Sequence, residues 1–348
     1  MRRRNFIDLM LGGSVISPLL AASCTNQRNN KNKDENKALI LATATTGGTF
    51  YPVGIAISTL TNTKLAETEK ITMNAINSAG SGENIQQLKN QEADLATLQG
   101  LFGAMAWQGR GKYENSPEKS LRSITMLWEN VEHFVILKKY AETGNIEDLK
   151  NLKGQSFSIG KRNSGTEVSG RTILTALGLD VDKDFRLEYV GYKESSEALQ
   201  NGRIAGMNTP AGIPVSAVTQ AYAAMGSDQL AILEFTTEQV EKINRTYAVW
   251  SPYAIPAQTY VGQERGITSI AQPNFLAVRP EISNAVVYKI TKNIYENLPF
   301  LYDIHKATLA MNLERAITGL PVPLHPGAVQ YYEEVGLDIS KDLLPKSI

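Results

Sequence analysis

From residue 38 onward, apolar positions alternate between short continuous runs and helical spacing. Ala38-Leu39-Ile40-Leu41-Ala42 predicts a buried strand. Gly47 and Gly48 let the backbone turn, and Pro52 suits the first turn of a helix that continues through Val53, Ile55, Ala56, Ile57 and Leu60. Residues 71–76 alternate as a strand and end at Ser78-Ala79-Gly80-Ser81-Gly82-Glu83-Asn84. A helix carrying Ile85 and Leu88 follows, with Ser81 as its expected cap. Residues 94–99 form a third strand, with Gln99 at its C-terminal end. Residues 121–127 form another, which Trp128-Glu129-Asn130 interrupts and 133–137 resumes. His133, on that apolar strand, reads as a core or edge residue.

The second half repeats the theme. Residues 156–160 predict a strand, 161–167 a polar loop, and 168–177 a helix ended by Gly178. A short strand over 187–190 and a helix over 194–201 follow, and Ile213, Ala217, Val218, Ala221, Tyr222 and Met225 mark the next helix. The Pro-, Tyr- and Ala-rich stretch 246–262 reads as irregular. Residues 267–278 predict a long strand broken at Pro273, and Val286, Ile290, Ile294 and Leu298 an amphipathic helix. Residues 321–327 lead into a final helix ending at Glu334.

At 348 residues the chain exceeds what one core usually takes, so two α/β domains are expected. A formal net charge of +0, from 35 basic and 35 acidic residues, gives no argument for nucleic acid. Residues 1–24 read as an export leader. Arg2-Arg3-Arg4 is its basic part and residues 9–20 its modestly apolar part; Arg3-Arg4-Asn5-Phe6 resembles a twin-arginine signal, and a general secretory signal is equally open. Cys24 is the only cysteine and follows Leu20-Ala21-Ala22-Ser23, which looks like a lipoprotein cleavage box; it is the expected lipidation site. Residues 25–37 are Asn-, Lys-, Asp- and Glu-rich, as in a solvated tether. The expected location is outside the cytoplasm, in the periplasm or at the cell surface, with a lipid anchor in a membrane.

The candidate chemistry lies in the glycine turns. A strand–turn–helix presents free N–H groups at the positive end of a helix dipole, where a small anion is held. Thr45, Thr46 and Thr49 add hydroxyls around Gly48. The same turn can also be a plain connection, and the residues alone leave both readings open. Neither the phosphate-loop motif nor Gly-x-Gly-x-x-Gly is present. With 3 histidines, one cysteine, no metal-spaced cluster and no Gly-x-Ser-x-Gly, no catalytic residue, metal or cofactor is expected.

Four segments narrow the choice: Thr46-Gly47-Gly48-Thr49-Phe50-Tyr51-Pro52, residues 78–84, Ser164-Gly165-Thr166-Glu167, and residues 319–328. Their order and spacing resemble the solute receptors of tripartite ATP-independent periplasmic (TRAP) transporters, of the TAXI class. The resemblance implies a type II periplasmic-binding-protein fold, with two α/β lobes, two crossover strands near 132–137 and 267–276, and a ligand cleft. One lobe would take 38–132 and 268–348, the other 133–267. It implies a small carboxylate ligand, glutamate-like or another organic acid, and a TRAP membrane subunit as partner, with a monomeric receptor. The ligand residues so implied are Thr46, Gly48, Thr49, Phe50, Tyr51, Ser78, Ser81 and Gln99 from one lobe, and Asn163, Ser164, Gly165, Thr166 and Gly212 from the other. Lys161 and Arg162 either add a cation for a second carboxylate or sit on the solvated surface. A sensing or surface-presenting lipoprotein of the same fold is the alternative.

Overall fold

The computed structural model describes residues 37–345; the leader, Cys24 and the tether up to residue 36 lie outside the described residues. The chain opens with β1 (Lys37–Ala42), α1 (Phe50–Glu69), β2 (Ile71–Ile76), α2 (Ser81–Lys89), β3 (Leu95–Gln99), α3 (Gly100–Gln108) and β4 (Arg122–Val131). It continues with β5 (Phe134–Leu137), β6 (Ser156–Ser158), α4 (Gly165–Ala176), α5 (Val181–Asp184), β7 (Arg186–Glu188), α6 (Tyr192–Gln200), β8 (Gly206–Asn208), α7 (Ser216–Met225), β9 (Leu230–Ile232) and α8 (Thr237–Asn244). It ends with β10 (Ser251–Ile255), β11 (Ile267–Val278), α9 (Asn284–Glu296), α10 (Leu298–Ile304) and α11 (Pro326–Glu334).

Two sheets result. The first runs β10-β11-β3-β1-β2, with β4 also on β11; the second runs β7-β6-β8-β5-β9. In the first, β1 lies parallel between β2 and β3, because α1 and α2 are the helical connections that parallel neighbours need. The helices cover apolar faces: α1 buries Val53, Ala56, Ile57 and Leu60, and α9 buries Val286, Val287, Ile290 and Ile294. One apolar cluster runs through both sheets, and a second lies around α7.

The chain changes sheet between β4 and β5, where Glu132 and His133 are fully buried. Both sides of the crossing are pinned to β11. Glu132 N donates to Ile270 O at 2.9 Å, and Ser269 Oγ donates to Glu132 O at 2.7 Å. The β10–β11 pair is hydrogen-bonded into the first sheet, yet Ile255, Ile267 and Ala271 pack in the cluster around α7.

Several elements differ from the sequence pattern. Trp128-Glu129-Asn130 does not break β4, since Asn130 is buried and its Oδ1 accepts from Asn274 Nδ2 on β11 at 3.3 Å. β10 occupies part of the stretch expected to be irregular. It is an edge strand, where the missing N–H of Pro252 is tolerated. β11 is continuous through Pro273, and a register shift between Pro273 and Phe275 absorbs the proline. Ser81 is not the α2 cap: Gly80 holds that place, with φ 119° and ψ −155°, a conformation that favours glycine. α4 and α6 begin before the expected 168 and 194. β9 and α8 were not foreseen, although Thr236 and Gln239 form a capping box at α8. None of the described helices is long and apolar enough to cross a membrane.

Candidate functional site

The turns after β1, β2, β3 and β6 each run straight into a helix, at Phe50, Ser81, Gly100 and Gly165. First-turn N–H groups have no partner within their own helix. Those of Phe50, Tyr51, Ser81, Gly165 and Thr166 have no backbone acceptor among the described residues. The starts of α1, α2 and α4 meet at one cavity of 40 Å³ between the two sheets, whose walls include Gly48, Thr49, Phe50, Ser81, Gln99, Gly165 and Thr166. Of the expected ligand residues, these line it; Thr46, Tyr51, Ser78, Asn163, Ser164 and Gly212 do not.

The side chains divide by what they already bond. Thr49 Oγ1 donates to Gly212 O at 2.8 Å, joining segments 163 residues apart. Ser78 Oγ contacts Thr43 O at 3.0 Å and Asn84 Oδ1 at 2.6 Å and accepts from Gly80 N at 2.9 Å, so it shapes the turn beneath the cavity. Ser81 Oγ accepts from Gln99 N at 3.0 Å. Ser164 Oγ caps α4 by accepting from Glu167 N at 3.0 Å. Thr166 Oγ1 lies 2.7 Å from Tyr192 OH, which donates to Pro210 O at 2.7 Å; the threonine is therefore the donor in that pair. Thr46 is exposed on the outer side of the turn. Phe50 lies edge-on to Trp128, with ring centroids 6.1 Å apart.

The two halves touch across the cleft. Asn163 has its carbonyl on Glu83 N at 3.2 Å and its side chain on Gln86 Oε1 at 3.1 Å and on Lys112 Nζ. Ala217 N donates to Gly47 O at 3.1 Å. Gly165 lies so close to Gln99 that an added Cβ would fall 2.5 Å from the amide carbon. Asn163 thus bridges the two halves at the rim and is not a wall of the cavity.

No charged residue lines the cavity. Lys161 is exposed, and Arg162 lies over the Tyr189 ring at 3.6 Å, so neither supplies a cation there. Burial lowers the Lys112 ammonium below its ordinary pKa, partly opposed by Glu167. At the crossing, burial raises Glu132 to about 7, opposed by the Trp250 Nε1 hydrogen bond to its Oε1 at 3.4 Å. Burial lowers His133 to about 4. The neutral ring donates from Nδ1 to Val131 O at 2.8 Å and pairs through Nε2 with Tyr260 OH at 2.8 Å. His133 is thus a core residue. Among the described residues no group of three or more His, Cys, Asp or Glu is gathered as for a metal ion.

Sequence reasoning missed Tyr192 and Asn130, both in the wall. Tyr192 opens α6 after Gly191, the same strand–turn–helix signature as the others, but the helix was expected two residues later. Asn130 was hidden because a polar triplet reads as a strand break.

The family model of the NMT1-like family matches residues 41–336. Among solved structures, the periplasmic binding protein BugD is similar over 86% of this chain and 95% of its own, at 15% identity and a TM-score of 0.51. MatC from Rhodopseudomonas palustris, with bound malate, is similar over 86% of this chain and 96% of its own, at 14% identity and a TM-score of 0.53. At such identities the likeness shows the fold, which is the two-lobed α/β fold of periplasmic binding proteins. With a family model spanning both sheets and every wall of the cavity, the chain belongs to the NMT1-like family.

Proposed function

We propose that this chain is an extracytoplasmic solute receptor that captures a small carboxylate between its lobes and delivers it to a membrane permease of the TRAP type, as a TAXI-class receptor. The observation that carries the reading is the meeting of three helix N-termini, two from the first sheet's side and one from the second's, at one cavity without a charged wall. Unpaired N–H groups and aligned dipoles favour an anion there. A carboxylate has two oxygens, one for the N–H groups of Phe50 and Ser81 and one for those of Gly165 and Thr166. A ligand bonded to both sides stabilises the closed form, since it binds that form more tightly than the open one.

In this reading the lobes are 38–132 with 268–348, and 133–267. The change of sheet between Val131 and Phe134 supports the first boundary. The shared packing of β10 and β11 makes the second a continuous strand on which the lobes turn. Gly48, Thr49, Phe50, Ser81, Gln99, Gly165 and Thr166 contact the ligand, Ser78, Ser164 and Gly212 hold their turns, and Asn163 latches the rim. Cys24 carries the lipid that keeps the exported protein at a membrane. Native mass spectrometry of the purified protein tests the reading. We expect a copurified organic acid, released on unfolding. Absence of any acid, with no binding of acids in titration, contradicts it.

A further inference from the structure

The cavity also carries a neutral amide chemistry beside the helix N-termini. Gln99 and Asn130 line it, only 3% and 1% exposed. Neither Gln99 Oε1 nor Asn130 Nδ2 has a hydrogen-bond partner among the described residues. Because both residues line the cavity, these two atoms are placed to pair with groups of a ligand. They offer one acceptor and one donor, both neutral.

No cation stands with them. Arg162 is over Tyr189, Lys161 is exposed, and Lys112 is bonded to Asn163 and lies over Phe102. A second carboxylate of the ligand would therefore lose its water and gain only amides. An uncompensated buried charge is strongly unfavourable. A hydroxyl or carboxamide at that end pairs with both amides, and a site built on such pairs discriminates sharply against a group that cannot make them.

Building on the carboxylate reading of the site, we propose that the ligand carries a single negative charge: a short monocarboxylate with a hydroxyl or carboxamide at its other end, with dicarboxylates rejected. At 40 Å³ the cavity is far smaller than an ordinary ligand pocket, so its walls must part to take even a short acid.

Calorimetry on protein stripped of ligand by unfolding and refolding tests this with matched pairs. These are 3-hydroxypropionate against malonate, 4-hydroxybutyrate against succinate, malonamate against malonate, and succinamate against succinate. Any copurified acid joins the panel with its own partner of one charge more or less. The expected result is a singly charged member that binds at least about tenfold more tightly than its dicarboxylate. A dicarboxylate bound as tightly as its partner, or more tightly, overturns the inference and leaves the carboxylate receptor standing. No binding by any acid overturns the receptor reading and this inference with it. Gln99→Glu keeps the shape and adds the disfavoured charge. It should weaken the best singly charged ligand by about tenfold at pH 7.5 and lower the melting temperature, since the same charge is buried in the protein; unchanged affinity overturns the role given to Gln99.

Discussion

Thr49 bridges the cleft with its side chain and faces the cavity with its backbone. Its hydroxyl was expected to meet the ligand, but it donates to Gly212 O, and Gly212 in turn is an anchor for that bond. Thr49→Val keeps the volume and removes the donor, leaving a buried carbonyl without its partner in the closed form. The expected cost is about 1–3 kcal/mol of closure, read as a roughly five- to hundredfold weaker affinity for the copurified acid, while Thr49→Ser stays near wild type. Equal affinities for the valine and serine variants would contradict this. Glu132 and His133 form a second pair worth separating. Glu132 is raised from 4.5 to about 7, so between those values the folded chain holds a proton that the unfolded chain has lost, and stability falls as pH rises. His133 is lowered from 6.5 to about 4, so over that window stability falls as pH falls. The two slopes oppose each other where the windows overlap. Glu132→Gln removes only the first. Relative to wild type it should gain stability as pH rises from 4.5 to 7, by on the order of 3 kcal/mol, in urea unfolding. A difference independent of pH would show that Glu132 does not titrate as described.

Elements were readable where local chemistry and burial agree. The β1–α1, β2–α2 and β6–α4 units each show an apolar run, a glycine-containing polar turn and a helical period, so both their existence and their shared character were legible. Elements whose stability comes from distant partners were not. β10 contains Pro252 and Tyr253 and exists because β11 pairs with it. β9 has three residues, too few to show a period. In the site, the polar side chains were found by type, but sequence could not say which would be taken by the protein itself: Ser78 and Ser164 are, and Gln99 Oε1 and Asn130 Nδ2 are not. α2 offers a test at this scale. Gly82 lies in its first turn, where a Cβ would fall 2.3 Å from Asn163 O across the cleft. Alanine favours a helix over glycine by up to about 1 kcal/mol. Gly82→Ala should therefore leave the melting temperature of the ligand-free protein unchanged or slightly higher while weakening ligand binding by about tenfold. Unchanged affinity in calorimetry would mean that the Asn163 latch does not take part in closure.

For the whole molecule, the contacts across the cleft describe a closed form: Thr49 on Gly212, Gln99 against Gly165, Asn163 on Glu83, Gln86 and Lys112, and Ala217 on Gly47. These are few beside the continuous strands of each sheet, and the free N–H groups of three helices face a cavity that only closure completes. On the proposed reading the lobes turn on the crossing at Glu132–His133 and on β11, and a few terminal residues suffice for such a motion. On the proposed reading, closure around a ligand is the output of the molecule. Small-angle scattering of the ligand-stripped protein, before and after saturation with the copurified acid, measures this directly. A smaller radius of gyration on saturation, diminished in Gly82→Ala, is the expected result; a scattering curve unchanged by a saturating, tightly bound acid would contradict the receptor mechanism.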